Sequence, residues 1–224
     1  MESKLPKLTY FNMTGRAEPA RLAFWIGGQE FEDVRVEFKD WGKVKPTMQW
    51  GTMPELELPS GEKIGQTRSI TRFIGKMSGL YPAFDALTAA KIDDVMDICE
   101  DLMTSVNKIG QGMEKAEKEK ARAEGMKSGK PAAILKAIES YIGAQGKNGC
   151  AVGDKLTLAD ICIFSYTNLV VCGFYDGVSP DVLKDYPKIQ AVRKTVGTHP
   201  KVVARYAAEK ADTPIFNFYK SCTK

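Results

Sequence analysis

Residues 5–36 read LPKLTYFNMTGRAEPARLAFWIGGQEFEDVRV, and their punctuation decides the first half of the fold. Leu5 to Phe11 is a short apolar and aromatic run that stops at Asn12-Met13-Thr14-Gly15, the pattern of a strand entering a loop. Glu18-Pro19 then opens a helical pattern, since proline is tolerated in a helix's first turn, where its missing amide has no partner to lose. Ala20, Leu22, Ala23, Trp25 and Ile26 carry that pattern to a Gly27-Gly28 stop, and Phe31 to Val36 forms a second strand.

Working outward, Trp41 to Trp50 reads as a short, weak helix. Leu56 to Leu58 and Lys63 to Ile64 flank Pro59-Ser60-Gly61, which makes them a hairpin. Thr67 to Lys76 spaces Ile70, Phe73 and Ile74 as a helix does, so the order is β-α-β-α-β-β-α. Beyond Gly79-Leu80-Tyr81-Pro82 only helices follow. Ala86 to Ile109 lays Leu87, Ala90, Val95, Ile98, Leu102, Val106 and Ile109 mostly on one stripe. Gly110 to Lys130 is rich in Lys and Glu and reads as a mobile helix ending near Gly129-Lys130-Pro131, and Ala132 to Ala144 as another helix. Leu156 to Val171 is apolar on nearly all sides and hence buried, and Thr157-Leu158-Ala159-Asp160 forms a capping box at its start, with Asp in place of Glu. Amphipathic stretches at Lys188 to Val196 and Lys201 to Lys210 precede an aromatic tail, Phe216, Phe218 and Tyr219. The pattern predicts α/β plus all-α architecture: a thioredoxin-like domain over residues 1–80 and an all-helical domain over 87–224.

Composition closes off several functions. With 43% hydrophobic and 27% charged residues in a chain of 224, the protein is neither a disordered segment nor a disulfide scaffold. Its net charge of +4 is small and the signs alternate, so nothing points to nucleic acid. His199, the single histidine, excludes mechanisms that need two imidazoles and weakens any zinc site built on histidine pairs; before Pro200 it reads as a boundary between two helices. Cys99, Cys150, Cys162, Cys172 and Cys222 lack short metal-binding spacings, and their odd number fits a reducing compartment. Met1-Glu2-Ser3-Lys4 is polar and no apolar run approaches 18 residues. We expect no signal peptide, no membrane span and a cytoplasmic location.

Four motifs now stand in order: Leu8-Thr9-Tyr10-Phe11-Asn12 with Gly15-Arg16-Ala17-Glu18-Pro19-Ala20-Arg21, then Lys45-Pro46-Thr47, then Gly51-Thr52-Met53-Pro54-Glu55-Leu56-Glu57, then Gly65-Gln66-Thr67-Arg68-Ser69-Ile70. Together they resemble a cytosolic glutathione S-transferase, and Tyr-Phe-Asn with Gly-Arg-Ala-Glu resembles the sigma class. Ile92-Asp93, Asp97, Glu100-Asp101-Leu102 and the capping box extend the resemblance into the helical half.

The resemblance implies a homodimer that uses glutathione as co-substrate, with no metal required. It makes Tyr10 the donor of a charge-assisted hydrogen bond to the glutathione sulfur, which favours thiolate over thiol without a formal base. Arg16 adds positive potential nearby. Met53-Pro54 resembles the family's cis-proline step, where the Met53 backbone pairs with the cysteinyl backbone of glutathione. Gln66 and Thr67 take the γ-glutamyl end, Trp41 and Lys45 the glycyl end, and Asp101 reaches the neighbouring subunit's ligand. The family usually has serine where Thr67 stands; the hydroxyl and amide are kept. Phe11, Met13, Met103, Val106 and Tyr166 fall where an apolar electrophile pocket is expected, one suited to hydrophobic small molecules.

Each residue also has a plainer reading: Tyr10 a core tyrosine, Arg16 a solvated charge, Met53-Pro54 an ordinary trans turn, Thr67 a simple helix cap. Trp41 with Lys45, and Asp97 with Asp101 one helical turn apart, read equally as solvated helix faces, and the second pair also suits a divalent ion. Two other functions stay open, a noncatalytic crystallin-like relative and a glutathione-dependent prostaglandin isomerase. Against the second, Val106-Asn107-Lys108-Ile109 stands where isomerising sigma members carry an aromatic residue.

Overall fold

The structure is a computed structural model that describes residues 5–209 and Phe218. Strands β1 (Lys7–Phe11) and β2 (Glu32–Val36) are parallel, with Tyr10 opposite Arg35, and helix α1 (Glu18–Gly27) makes the crossover that parallel pairing demands. β3 (Glu55–Glu57) runs antiparallel to β1, and β4 (Lys63–Gly65) antiparallel to β3, giving the sheet order β2-β1-β3-β4. α1 stops at Gly28, whose φ of 68° lets its amide turn back onto the last carbonyls. The sheet and α3 (Thr67–Met77) complete the β-α-β-α-β-β-α order read from the sequence.

The expected helix over 41–50 is broken into pieces. A 3₁₀ turn at Phe38–Asp40, the single helical turn α2 (Trp41–Val44) and a second 3₁₀ turn at Lys45–Thr47 replace it, because Pro46 has no amide to continue a longer helix. The strand of the opening run begins at Lys7, two residues later than its apolar pattern.

Helices α4 (Ala86–Lys108), α5 (Lys115–Ser128), α6 (Lys130–Gln145), α7 (Leu158–Val171), α8 (Pro187–Gly197) and α9 (Pro200–Ala207) build the second half. The Lys- and Glu-rich stretch becomes helical only from Lys115, and Gly129 ends α5 and starts α6, with Pro131 in the first turn of α6. His199 stands between α8 and α9, as its Pro200 neighbour implied. The capping box forms: the Thr157 hydroxyl takes up the Ala159 amide, and Asp160 accepts from the Thr157 amide at 2.7 Å and the Ala151 amide at 2.6 Å. Those bonds satisfy a fully buried carboxylate whose pKa burial nevertheless raises.

Every residue of α7 is buried, and the helix packs against α1, α3, α4 and α8. The Leu158 amide donates to the Leu80 carbonyl at 2.9 Å. A β-carbon added to Gly75 of α3 would sit 2.5 Å from Leu158 Cδ1, so the two halves close on each other at a glycine. They share one hydrophobic core. Phe218 joins it, its ring against those of Phe164 and Tyr206, whereas Phe216, Tyr219, Cys222 and Lys210 lie outside the described residues. Cys99, Cys150, Cys162 and Cys172 are free thiols whose pKa values burial raises, that of Cys150 to about 11. Among the described residues no helix is long and apolar enough to cross a membrane.

Candidate active site

Tyr10 lies at the end of β1 with 6% of its surface exposed. The chain after it folds back so that the Arg16 amide donates to the Tyr10 hydroxyl oxygen at 3.2 Å. Gly15 makes this approach feasible. Its φ is +49°, and a β-carbon there would come within 2.8 Å of the Tyr10 oxygen. Burial raises the Tyr10 pKa above the ordinary tyrosine value, although the Arg16 amide and the charges of Arg16 and Arg21 oppose it. The side chain is therefore a neutral phenol at physiological pH. Its oxygen is occupied as an acceptor, which leaves the hydroxyl proton to be donated.

The Arg16 side chain is held from the other half of the molecule. Its Nε and Nη2 both donate to one oxygen, Glu100 Oε1 of α4, at 2.8 and 2.7 Å. Glu100 Oε2 accepts from the Tyr166 hydroxyl of α7 at 2.7 Å. Desolvation lowers the Arg16 pKa, but the Glu100 carboxylate outweighs it and the net shift is upward. Tyr166, buried beside that carboxylate, is pushed well above the usual tyrosine range, mainly by desolvation.

A cleft of about 490 Å³ opens beside this group, lined by Arg16, Thr52, Met53, Pro54, Gln66, Thr67, Arg68, Ser69, Arg72 and Glu100. The Met53-Pro54 peptide is cis. Gln66 has φ 70°, a left-handed conformation that costs a residue with a side chain about 1 to 3 kcal/mol. It precedes the first turn of α3, whose free amides face an end that favours negative charge. The arginines of the cleft are tied to α4: Arg72 binds Asp93 at 2.6 Å, Arg68 pairs with Asp97, and Arg16 holds Glu100.

Residues 100–210 match a family model described as glutathione S-transferase, C-terminal domain. A probable glutathione S-transferase of Caenorhabditis elegans is 31% identical over 216 residues, covering 93% of this chain and 98% of its own. The chain belongs to the glutathione S-transferase family. A hematopoietic prostaglandin D synthase of Gallus gallus is 32% identical over 88% of this chain and 93% of its own, and an S-crystallin of Enteroctopus dofleini 28% identical over the same shares. Among solved structures, the sigma class glutathione S-transferase of Fasciola hepatica superposes with a TM-score of 0.80 at 26% identity, covering 95% of this chain and 100% of that one. The protein is thus a glutathione transferase with the thioredoxin-like and helical halves that its pattern implied.

Against that family, the structure brings Arg16, Met53, Pro54, Gln66 and Thr67 around one cleft of this glutathione transferase, with the Tyr10 hydroxyl at its Arg16 edge. Trp41 and Lys45 sit on the neighbouring turns rather than in the cleft wall, with Lys45 exposed and its Cε 3.8 Å from where a Gly51 β-carbon would lie. Asp101 is exposed on α4, and Asp97, its neighbour one turn earlier, pairs with Arg68. The expected electrophile residues divide. Phe11 and Met13 are partly buried beside Tyr10, and Phe11 stacks on Phe38 at 4.5 Å between ring centres and meets Trp41 edge-on. Val106 has no exposed surface and Met103 only 3%, so both pack in the core behind any pocket wall, and Tyr166 spends its hydroxyl on Glu100.

Sequence reasoning missed two residues of the site. Glu100 was legible only as half of an acidic pair, because its partners lie 84 and 66 positions away. Glu55 is buried, accepts the Gln49 amide at 2.5 Å and binds Lys63 at 2.9 Å, and so fixes the loop that carries Met53.

Proposed function

We propose that this glutathione transferase stabilises the glutathione thiolate with Tyr10 and directs it at hydrophobic electrophiles, in the cytoplasm and as a homodimer. The observation that carries the reading is the Tyr10 hydroxyl: neutral because buried, anchored as an acceptor by the Arg16 amide, and with its proton left to give. A free thiol has a pKa of about 8.5 and is mostly protonated at neutral pH. A donor aimed at sulfur favours the ionised form, and the released proton leaves to solvent. The thiolate then forms a bond to the electrophilic carbon as the leaving group departs with the electron pair of the bond it breaks.

The ligand's charged ends have matching groups. Thr67, at the start of α3, suits the γ-glutamyl carboxylate, with Gln66 beside it. The Met53 backbone suits the cysteinyl peptide, and Lys45 and Trp41 the glycyl end. Asp101 suits the ammonium of a ligand held by a second subunit. Phe11 and Met13, with Phe38 stacked on the first, supply apolar surface next to the sulfur position, and a detoxifying role follows from that breadth. The relative named prostaglandin D synthase favours a second reading, glutathione-dependent isomerisation, for which the Val106 to Ile109 segment lacks the aromatic residue noted above.

Steady-state conjugation of glutathione to an aryl halide, wild type against Tyr10→Phe, tests the proposal. Loss of one charge-assisted bond of about 1.5 to 3 kcal/mol predicts a fall in turnover of roughly 10- to 150-fold. The thiolate absorbance of bound glutathione should also move to higher pH. A wild type without conjugating activity would favour the crystallin-like reading, and an unchanged Tyr10→Phe profile would remove Tyr10 from the mechanism.

A further inference from the structure

Arg21 is fully buried in α1. Its guanidinium donates to the carbonyls of Met13 at 2.6 Å, Thr14 at 3.4 Å and Phe11 at 3.5 Å, so a single side chain grips the backbone joining Tyr10 to Gly15 and Arg16. It also lies 5.9 Å from the centre of the Tyr10 ring. Two carboxylates position it from behind. Glu18, also fully buried, accepts Nη1 on Oε2 at 3.2 Å, and Asp33 of β2 accepts Nε at 2.9 Å.

Both carboxylates lead on to α9 and the residues just after it. The Tyr206 hydroxyl of α9 donates to Glu18 Oε1 at 2.5 Å. Asp33 Oδ2 accepts from Arg35 Nε at 2.9 Å, and Arg35 grips Glu209 with two bonds of 3.1 and 2.7 Å. Arg205 braces Glu209 at 2.8 Å. Taking such charges out of water is costly, and apolar side chains of the same volume are often as stable or more so. What this arrangement supplies that an apolar filling cannot is a set of directed donors on three carbonyls between Phe11 and Thr14.

We propose that Arg21 is a positioning residue for the Tyr10 hydroxyl, and that Tyr206 and Glu209 set its geometry through Glu18 and through Asp33 with Arg35. Helix α9, with Glu209 just after it, thereby governs how well the nucleophile is activated, although neither group touches the sulfur or the electrophile. The inference rests on Tyr10 being the partner of the thiolate. Moving the loop carbonyls moves the Arg16 amide, which fixes the phenol oxygen, and small errors of placement are expensive where a reacting group must be held in line.

Tyr206→Phe removes one hydroxyl and keeps the ring packing, Glu209→Gln loosens the second route, and the double variant cuts both. Each is read by thermal melting, by the pH profile of turnover with an aryl halide, and by the pH at which bound glutathione shows thiolate absorbance. The expected result is a turnover loss of roughly tenfold at about pH 6.5, closing at about pH 9 where the thiol ionises unaided, with the thiolate titration displaced upward and the double variant displaced furthest. Arg21→Lys, which keeps the charge and loses the fork, should shift the titration as well; should it fail to fold, Tyr206→Phe still decides the matter. A melting temperature that drops while the titration stays on the wild-type curve, or a turnover loss of equal size at every pH, overturns the positioning role. If Tyr10→Phe itself leaves the titration unmoved, the fault lies with the Tyr10 reading instead.

Discussion

The Tyr10 hydroxyl oxygen accepts the Arg16 amide at 3.2 Å, so the residue that holds the phenol in place belongs to the same short loop that delivers a cation beside it. Burial raises the pKa of this phenol, which gives a prediction with a definite sign. The folded state favours the protonated form, so the stability this provides is complete below the unfolded tyrosine pKa of about 10 and is lost as pH rises through the higher folded value. Ultraviolet difference titration of wild type against Tyr10→Phe should place the Tyr10 phenolate above pH 10. Ionisation near neutral pH would contradict a neutral donor.

Glu100 bridges Arg16 and Tyr166 with its two oxygens. Glu100→Gln keeps the shape but removes the charge that orients the guanidinium, so turnover should fall by about five- to tenfold, with a smaller change in the Michaelis constant for glutathione. Tyr166→Phe removes one neutral donor and should cost less. Kinetics of Glu100→Gln that match wild type would leave Arg16 independent of its partner.

On the proposed binding mode, Lys45 and Thr67 meet parts of glutathione that do not react. Lys45→Ala and Thr67→Ala should raise the Michaelis constant more than they lower turnover, each by the equivalent of about 1.5 to 3 kcal/mol if a charge-assisted contact is lost. A fall in turnover at constant Michaelis constant would show that they act on the chemical step.

Asp101 is exposed on α4, whereas the cleft is walled by the first half of the chain and Glu100. If its carboxylate serves the ligand of a second subunit, Asp101→Asn should weaken glutathione binding by calorimetry while sedimentation still finds the dimer. Unchanged affinity would mean that each subunit holds a complete site.

The half of the fold that the sequence made legible is the half written in local signals. Glu18-Pro19, the hairpin turn at Pro59-Ser60-Gly61 and the Thr157 capping box each specify geometry within a few residues, and each formed where expected. The Trp41 to Trp50 run misled because its aromatic ends hid the break that Pro46 imposes. Glu100 and the contact of Tyr206 with Glu18 were invisible for a different reason: neither residue carries a local mark of a partner 66 to 188 positions away. Val106 was read on the apolar stripe of α4 and Met103 from the family resemblance, and neither signal reports how deeply the neighbouring helices cover those positions.

The contact of Gly75 with Leu158 limits how this protein can be rearranged. Because no side chain fits at position 75 while leucine stands at 158, the two halves are not exchangeable modules: a chimera that takes its first 80 residues from a relative must carry glycine there or accept a smaller residue on α7. Separating the halves would strip the apolar cover from α1, α3 and α7 at once, so a single unfolding transition is the expected result of thermal melting.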